Sequence, residues 1–182
     1  MDMKNFIYLI LLFTFLVKIV NAEDFVVEAK KLATDLKTSL MKNLNEQIAK
    51  NGTIKAISFC HTNVKPIAKN AAGSRTQQIE FGRTSHKLRN ENNRAIPLME
   101  PYLKEFAGTF KGDLKKEYVV IKDNVGKQIF LEPLYLQAAC LQCHGQQINP
   151  DVQKKISELY PKDQATNFKL NEFRGFIWIK EI

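Results

Sequence analysis

Tyr118 to Leu131, YVVIKDNVGKQIFL, reads as two strands, Tyr118 to Lys122 and Lys127 to Leu131, joined through Asp123-Asn124-Val125-Gly126. β-branched and aromatic runs on either side of an Asp/Asn/Gly cluster are the signature of a hairpin. A hairpin pairs its strands antiparallel without a helical crossover. Pro133 to Leu136 extends the second strand. Ile79 to Arg89 (IEFGRTSHKLR) and Arg174 to Ile182 (RGFIWIKEI) have the same strand character. Gly82 marks a bulge or a close approach within its run.

Helices surround these strands. From Glu23 to Lys50, Val26, Ala29, Leu32, Leu36, Leu40, Leu44 and Ile48 recur at three- and four-residue spacing, which specifies one long amphipathic helix. Asn51-Gly52 ends it, because Gly takes the left-handed conformation freely. Thr53 caps a second helix to about Ala71, with a stripe of Ile57, Cys60, Val64, Ile67 and Ala68 and a break or kink at Pro66. Leu98 to Phe110 is a shorter helix with Leu98, Tyr102, Leu103 and Phe106 inward. Asp151 caps another, which runs to Leu159 and stops before Pro161. Strands paired as hairpins, with helices alongside and no βαβ alternation, define an α+β domain.

Directly after the hairpin comes Cys140-Leu141-Gln142-Cys143-His144-Gly145. C-x-x-C-H is the attachment pattern of a c-type haem. Its two thiols add across the vinyl groups, and the following imidazole becomes the proximal iron ligand. Three other readings compete. A thioredoxin-like redox pair belongs beside a βαβ unit, which is absent here. A zinc site needs a second ligand pair. A plain disulfide is the third. An all-helical cytochrome c carries its motif near the mature N-terminus, unlike this chain.

The first residues favour haem. Lys4 is a basic n-region, Phe6 to Val17 (FIYLILLFTFLV) an apolar core, and Val20-Asn21-Ala22 a small-residue cleavage site. Residues 1–22 are thus expected to be a signal peptide, with residues 23–182 forming one exported, periplasmic domain. Retention of the segment as an anchor is the alternative, although it is short for a span and Lys18 interrupts it. Haem c is attached after export, so the two signals agree. The formal charge of +8 is not a nucleic-acid signal in an exported chain. It would steer an acidic redox partner or anionic headgroups, or simply keep a lysine-rich surface solvated.

Three cysteines are present, so one is left over. An odd thiol in an exported chain points to intermolecular pairing, a reactive site or a ligand. Candidates for a second axial ligand are Cys60, His61, His86 and the methionines. Met1 and Met3 leave with the signal, and Met41 and Met99 sit on helices where Met ordinarily packs. His86, in a Thr-Ser-His-Lys run, is expected to face solvent. On a helix Cys60 and His61 point about 100° apart, and Cys60 is the one on the apolar stripe. A buried Cys is ordinarily packing; as a thiolate ligand it would favour ferric iron and a low potential.

Several blocks, in order, resemble the family of exported, PAS-like c-type haem domains. They are Cys60 with Pro66-Ile67-Ala68; Phe81-Gly82-Arg83-Thr84-Ser85-His86-Lys87-Leu88-Arg89-Asn90 with Asn93; the Cys140–Gly145 motif; Tyr160-Pro161-Lys162-Asp163-Gln164-Ala165; and Arg174-Gly175. The G-R-T-S-x-K-L-R-N and C-L-x-C-H-G blocks are specific as a pair. The resemblance implies a PAS-like antiparallel sheet with flanking helices. It also implies one haem c ligated by His144 and Cys60. Arg83, Lys87, Arg89 and Arg174 lie in these blocks and are candidates for the haem carboxylates. On an alternating strand Arg83, Lys87 and Arg89 would share a face, which solvation explains equally well. The chain departs from the pattern at Lys65, Glu91, Asn167 and Asn171; the last two stand where glycine is usual, and Asn tolerates left-handed backbone.

The family is associated with redox or small-gas sensing, and NO or CO are the expected gases. A sensor would pass its signal to a separate signalling protein. A periplasmic electron-transfer cytochrome, handing electrons to a redox partner, is the alternative. A peroxidase would need an open distal site with an acid–base group, from His61 or His86, and no such arrangement is visible; the chain is read as non-enzymatic. The long first helix suits a homodimer interface and core packing equally.

Overall fold

The computed structural model describes residues 22–182; the expected signal segment lies outside them apart from Ala22. Helix α1 (Ala22–Ala72) contains one residue with non-helical dihedrals, Gly52 (φ 78°, ψ 166°). The chain reverses there, since Ala68, Ala71 and Ala72 return to pack with Phe25, Ala29 and Leu32. The expected pair of helices is therefore present as a hairpin. Helical backbone runs through Pro66, so no break occurs there. Thr53 does not cap: its hydroxyl donates to Gln142 Oε1 at 3.0 Å, tying the bend to the C-x-x-C-H segment.

Four strands follow: β1 (Ile79–Thr84), β2 (Val119–Lys122), β3 (Gln128–Tyr135) and β4 (Phe173–Glu181). They form one antiparallel sheet in the order β1-β4-β3-β2. Helix α2 (Glu100–Phe106) follows a 3-10 turn over Pro97–Met99. It is shorter than expected because Gly108 turns into positive φ (77°), and Leu98 is exposed while Met99 is buried. Helix α3 (Leu141–His144) is a single turn, and α4 (Pro150–Leu159) is capped by Asn149, whose side chain accepts from the Asp151 N–H. Asn149 rather than Asp151 caps because Pro150, with no N–H to lose, takes the first helical position.

The sheet separates two cores. On one face the α1 hairpin buries Leu32, Ala33 and Leu36 against Phe130, Ile177 and Ile179. On the other, Met99, Leu103 and Phe106 of the α2 region cover Ile129, Leu131, Phe173 and Phe176. Each fully buried Phe contributes about 2–3 kcal/mol. Phe173 shares parity with Ile177 and Ile179, yet packs on the opposite face. The register explains this: Leu134 pairs with Gly175 and Tyr135 with Phe173, leaving Arg174 as the extra residue of a bulge. The bulge exchanges the faces and turns Arg174 out of the ladder.

Two glycines permit close approaches. A Cβ at Gly82 would lie 2.7 Å from the Trp178 ring of its cross-strand partner, which answers the sequence expectation for that position. A Cβ at Gly175 (φ 150°) would meet Thr84 O at 2.1 Å. Asn167 and Asn171 both adopt positive φ, 62° and 61°, so Asn does serve in place of Gly there. Among the described residues no helix is long and apolar enough to cross a membrane. Gly175→Ala should destabilise the domain by about 3 kcal/mol, read as a lower urea midpoint with an unchanged slope.

Candidate functional site

Cys140 closes a 3-10 turn over Ala138–Cys140 that runs directly into α3. On this continuous helical turn Cys140 and Cys143, three apart, are surface neighbours. Gly145 ends the turn, with its N–H on Leu141 O at 2.9 Å; a Cβ there would meet that carbonyl at 2.6 Å. All three cysteines are free thiols.

The segment after α4 clamps the motif through its carbonyls. Phe168 N–H donates to His144 O and Asn167 N–H to Gly145 O, each at 3.0 Å. Arg89 Nη2 donates to Cys143 O at 2.6 Å and to Ala165 O at 3.2 Å. The same guanidinium forms a bidentate pair with Asp163, Nε to Oδ1 and Nη2 to Oδ2, both at 3.1 Å. Their side chains are only 14% and 6% exposed. Backbone bonds and one buried ion pair thus hold the motif, leaving its side chains to project elsewhere.

His144 Nδ1 lies 2.7 Å from Ala165 O. With Nδ1 donating its proton there, Nε2 keeps a free lone pair, the tautomer a metal-ligating imidazole needs. Burial, then the charges of Arg174 and Arg89, hold the imidazole well below the usual histidine range, so it stays neutral.

Cys60 reaches the motif from α1. One turn before it, Ile57 packs with Val152 and Ile156 of α4, with Cys143 and Tyr160 against the same cluster. Burial raises the Cys60 thiol while the Arg83 charge lowers it, so the two side chains lie within electrostatic reach. His61 is exposed and lies edge-on to Tyr160, ring centroids 5.0 Å apart. Arg83 lies on the α1 side of β1, at the same alternation as Phe81 and Ile79. Burial lowers its pKa, and it forms no ion pair among the described residues.

The expected strand through Arg89 ends at Thr84. Ser85 Oγ donates to Arg174 O at 2.6 Å and accepts from Lys87 N–H at 3.0 Å, which bends the chain. Arg83, Lys87 and Arg89 therefore do not share a strand face. His86 does not face solvent as expected: it is half-buried, stacked on Phe173 (5.7 Å, 12°) and edge-on to Phe168 (5.7 Å, 81°). Arg174 Nη1 donates to Ser85 Oγ at 2.6 Å and Lys87 O at 3.1 Å. Burial, then repulsion from Arg89 and Arg83, lowers its pKa to about 9.

The sequence reading missed Asp163 as a counter-ion and Phe168 as the ring between His86 and His144; a lone Asp or Phe in a loop carries no periodic signal. A polar pocket of about 520 Å³ opens between Gly52, Thr53, Gln142, Asn149 and Val152, but none of Cys60, Cys140, Cys143 or His144 lines it.

Residues 20–181 match the family model described as Tll0287-like, and the chain belongs to that family. The resemblance drawn from the sequence blocks is thereby borne out. Among solved structures, it is similar to the crystal structure of the cyanobacterial haem protein Tll0287, with a TM-score of 0.62 and 21% identity over 89% of this chain and 96% of that one. The likeness is one of fold, and it bears out the α+β architecture of antiparallel sheet and flanking helices. No curated protein matches.

Arg89→Ala leaves Asp163 as a buried carboxylate without its counter-ion and takes the guanidinium donor from Cys143 O. It should cost about 3 kcal/mol, seen in urea denaturation, with Arg89→Lys recovering part of the loss.

Proposed function

We propose that this chain is an exported monohaem c-type cytochrome that acts as a redox or diatomic-gas sensor. Cys140 and Cys143 would form the thioethers, with His144 as proximal ligand and Cys60 as the second axial ligand. The observation that carries this reading is the helical turn bearing two cysteines outside any disulfide and an imidazole with its Nδ1 committed to Ala165 O. The family membership supports it, since the similar solved structure is described as a haem protein.

The surrounding groups fit such a cofactor. Arg174 lies in the fields of Arg89 and Arg83, all three arginines act on His144, and Asp163 is the carboxylate paired with one of them. The remaining positive charge suits the two carboxylates of a haem. Arg83 also offers a countercharge to a Cys60 thiolate, offsetting the burial that disfavours it. Bound here, haem would supply a one-electron couple and an axial position at which NO or CO competes with a protein ligand.

A sensor of this kind would act in the periplasm after cleavage near Ala22 and report to a separate signalling protein, without catalysis of its own. The second reading, a periplasmic electron carrier, is favoured by the formal charge of +8, which would attract an acidic redox partner.

Mass spectrometry of native protein should show one covalent porphyrin adduct, lost in Cys140→Ser/Cys143→Ser; a bare polypeptide from a haem-competent host overturns the reading. Cys60→Ala should change the ferric absorption and EPR spectra from the low-spin thiolate type; unchanged spectra remove Cys60 as a ligand. The reduced wild type should form a CO adduct if it senses gases. An iron that stays six-coordinate under CO and exchanges electrons rapidly with an acidic partner makes it a carrier.

A further inference from the structure

We propose that His86 donates a hydrogen bond from Nδ1 to a carboxylate of the bound tetrapyrrole, in a corner it shares with Arg174 and Lys87. This rests on the haem reading above. His86 Nδ1 is buried and has no hydrogen-bond partner, which is costly for a buried polar atom. The ring is held on two sides, stacked on Phe173 and edge-on to Phe168. Phe168 is in turn edge-on to His144 (6.4 Å, 82°), so one aromatic ring separates His86 from the proximal imidazole.

The missing partner is anionic by the charges around it. Lys87 Nζ lies 4.6 Å from the Phe168 centroid and Arg174 Cζ 5.3 Å from it. Neither forms an ion pair with a carboxylate among the described residues. Of the acidic side chains in range, Glu172 accepts from Lys169 N–H at 2.8 Å and Asp163, which acts on Arg174, is committed to Arg89. A carboxylate only accepts hydrogen bonds, so it would fix the proton of a neutral His86 on Nδ1. His86 occupies the open position of the G-R-T-S-x-K-L-R-N block, so this contact belongs to this chain rather than to the block.

The contact makes the corner proton-sensitive. Without the cofactor, burial together with Lys87 and Arg174 lowers the His86 pKa, against a smaller opposing effect of Glu172. A carboxylate on Nδ1 stabilises the protonated ring and raises the pKa. Added negative charge on reduction raises it further, so the midpoint potential falls as pH rises through the titration.

The test uses full-length holoprotein: wild type, His86→Phe, which keeps the ring stack, and His86→Gln, which keeps a donor that does not titrate. Between about pH 5 and 9 the wild-type midpoint potential should slope with pH, corresponding to a tenfold or greater rise in proton affinity on reduction. Both variants should be flat. Equal slopes in all three overturn the proposal while leaving the haem reading intact; absence of covalent haem from the wild type, by mass spectrometry, overturns the haem reading itself. As a check that needs no His86 variant, 15N NMR should find His86 binding its proton at least tenfold more tightly in holoprotein than in Cys140→Ser/Cys143→Ser. Equal affinity overturns the proposal.

Discussion

The bidentate pair between Arg89 and Asp163 is the joint on which the site depends. Arg89 arrives from the bend after β1, Asp163 from the segment after α4, and the guanidinium also grips the carbonyls of Cys143 and Ala165. Three segments far apart in sequence meet on one planar fork. A lysine would offer one point charge where geometry asks for a rigid set of donors. Burial cuts both ways: it strengthens the pair and makes loss of either partner expensive. The positions of His144 and Phe168 follow, because Ala165 O holds the imidazole and the backbone just beyond it holds the α3 carbonyls.

The second constraint is an excess of positive charge. Arg174 is pushed down to about 9 by burial first and then by the charges of Arg89 and Arg83. Burial first, and then the charges of the same arginines, keep His144 uncharged, so the crowding of arginines helps to prepare a neutral nitrogen donor.

Much of the architecture was legible in the sequence because it rests on short-range rules. The Asp123–Gly126 turn, the 3.6-residue stripe from Val26 to Leu36 and the glycine bend at residue 52 each carry their own signal, and the structure contains all three. What escaped depends on long-range contacts. The strand through Arg89 was overextended because its end is set by Ser85 bonding to Arg174, 89 residues away. His86 read as exposed because its neighbours in sequence are polar; the rings that bury it belong to Phe168 and Phe173. The motif thiols and His144 were evident from spacing alone, whereas Asp163 became visible only once Arg89 had a place in space.

The bulge at Arg174 makes β4 intolerant of length change. A strand that serves two layers alternates its residues between them, and here one surplus residue switches the alternation midway. Inserting or deleting a single residue between Phe173 and Ile177 would swap hydrophobic partners on one side of that point and carry the arginine off its aromatic neighbour. The loop from Gly108 to Gly112 is tied to the same strand's entry, since Thr109 O accepts from Phe173 N–H at 2.9 Å, Phe110 pairs with Glu172, and Lys111 N–H donates to Asn171 O at 2.8 Å. Natural variation in chain length should therefore be absent from the final strand and from this loop alike.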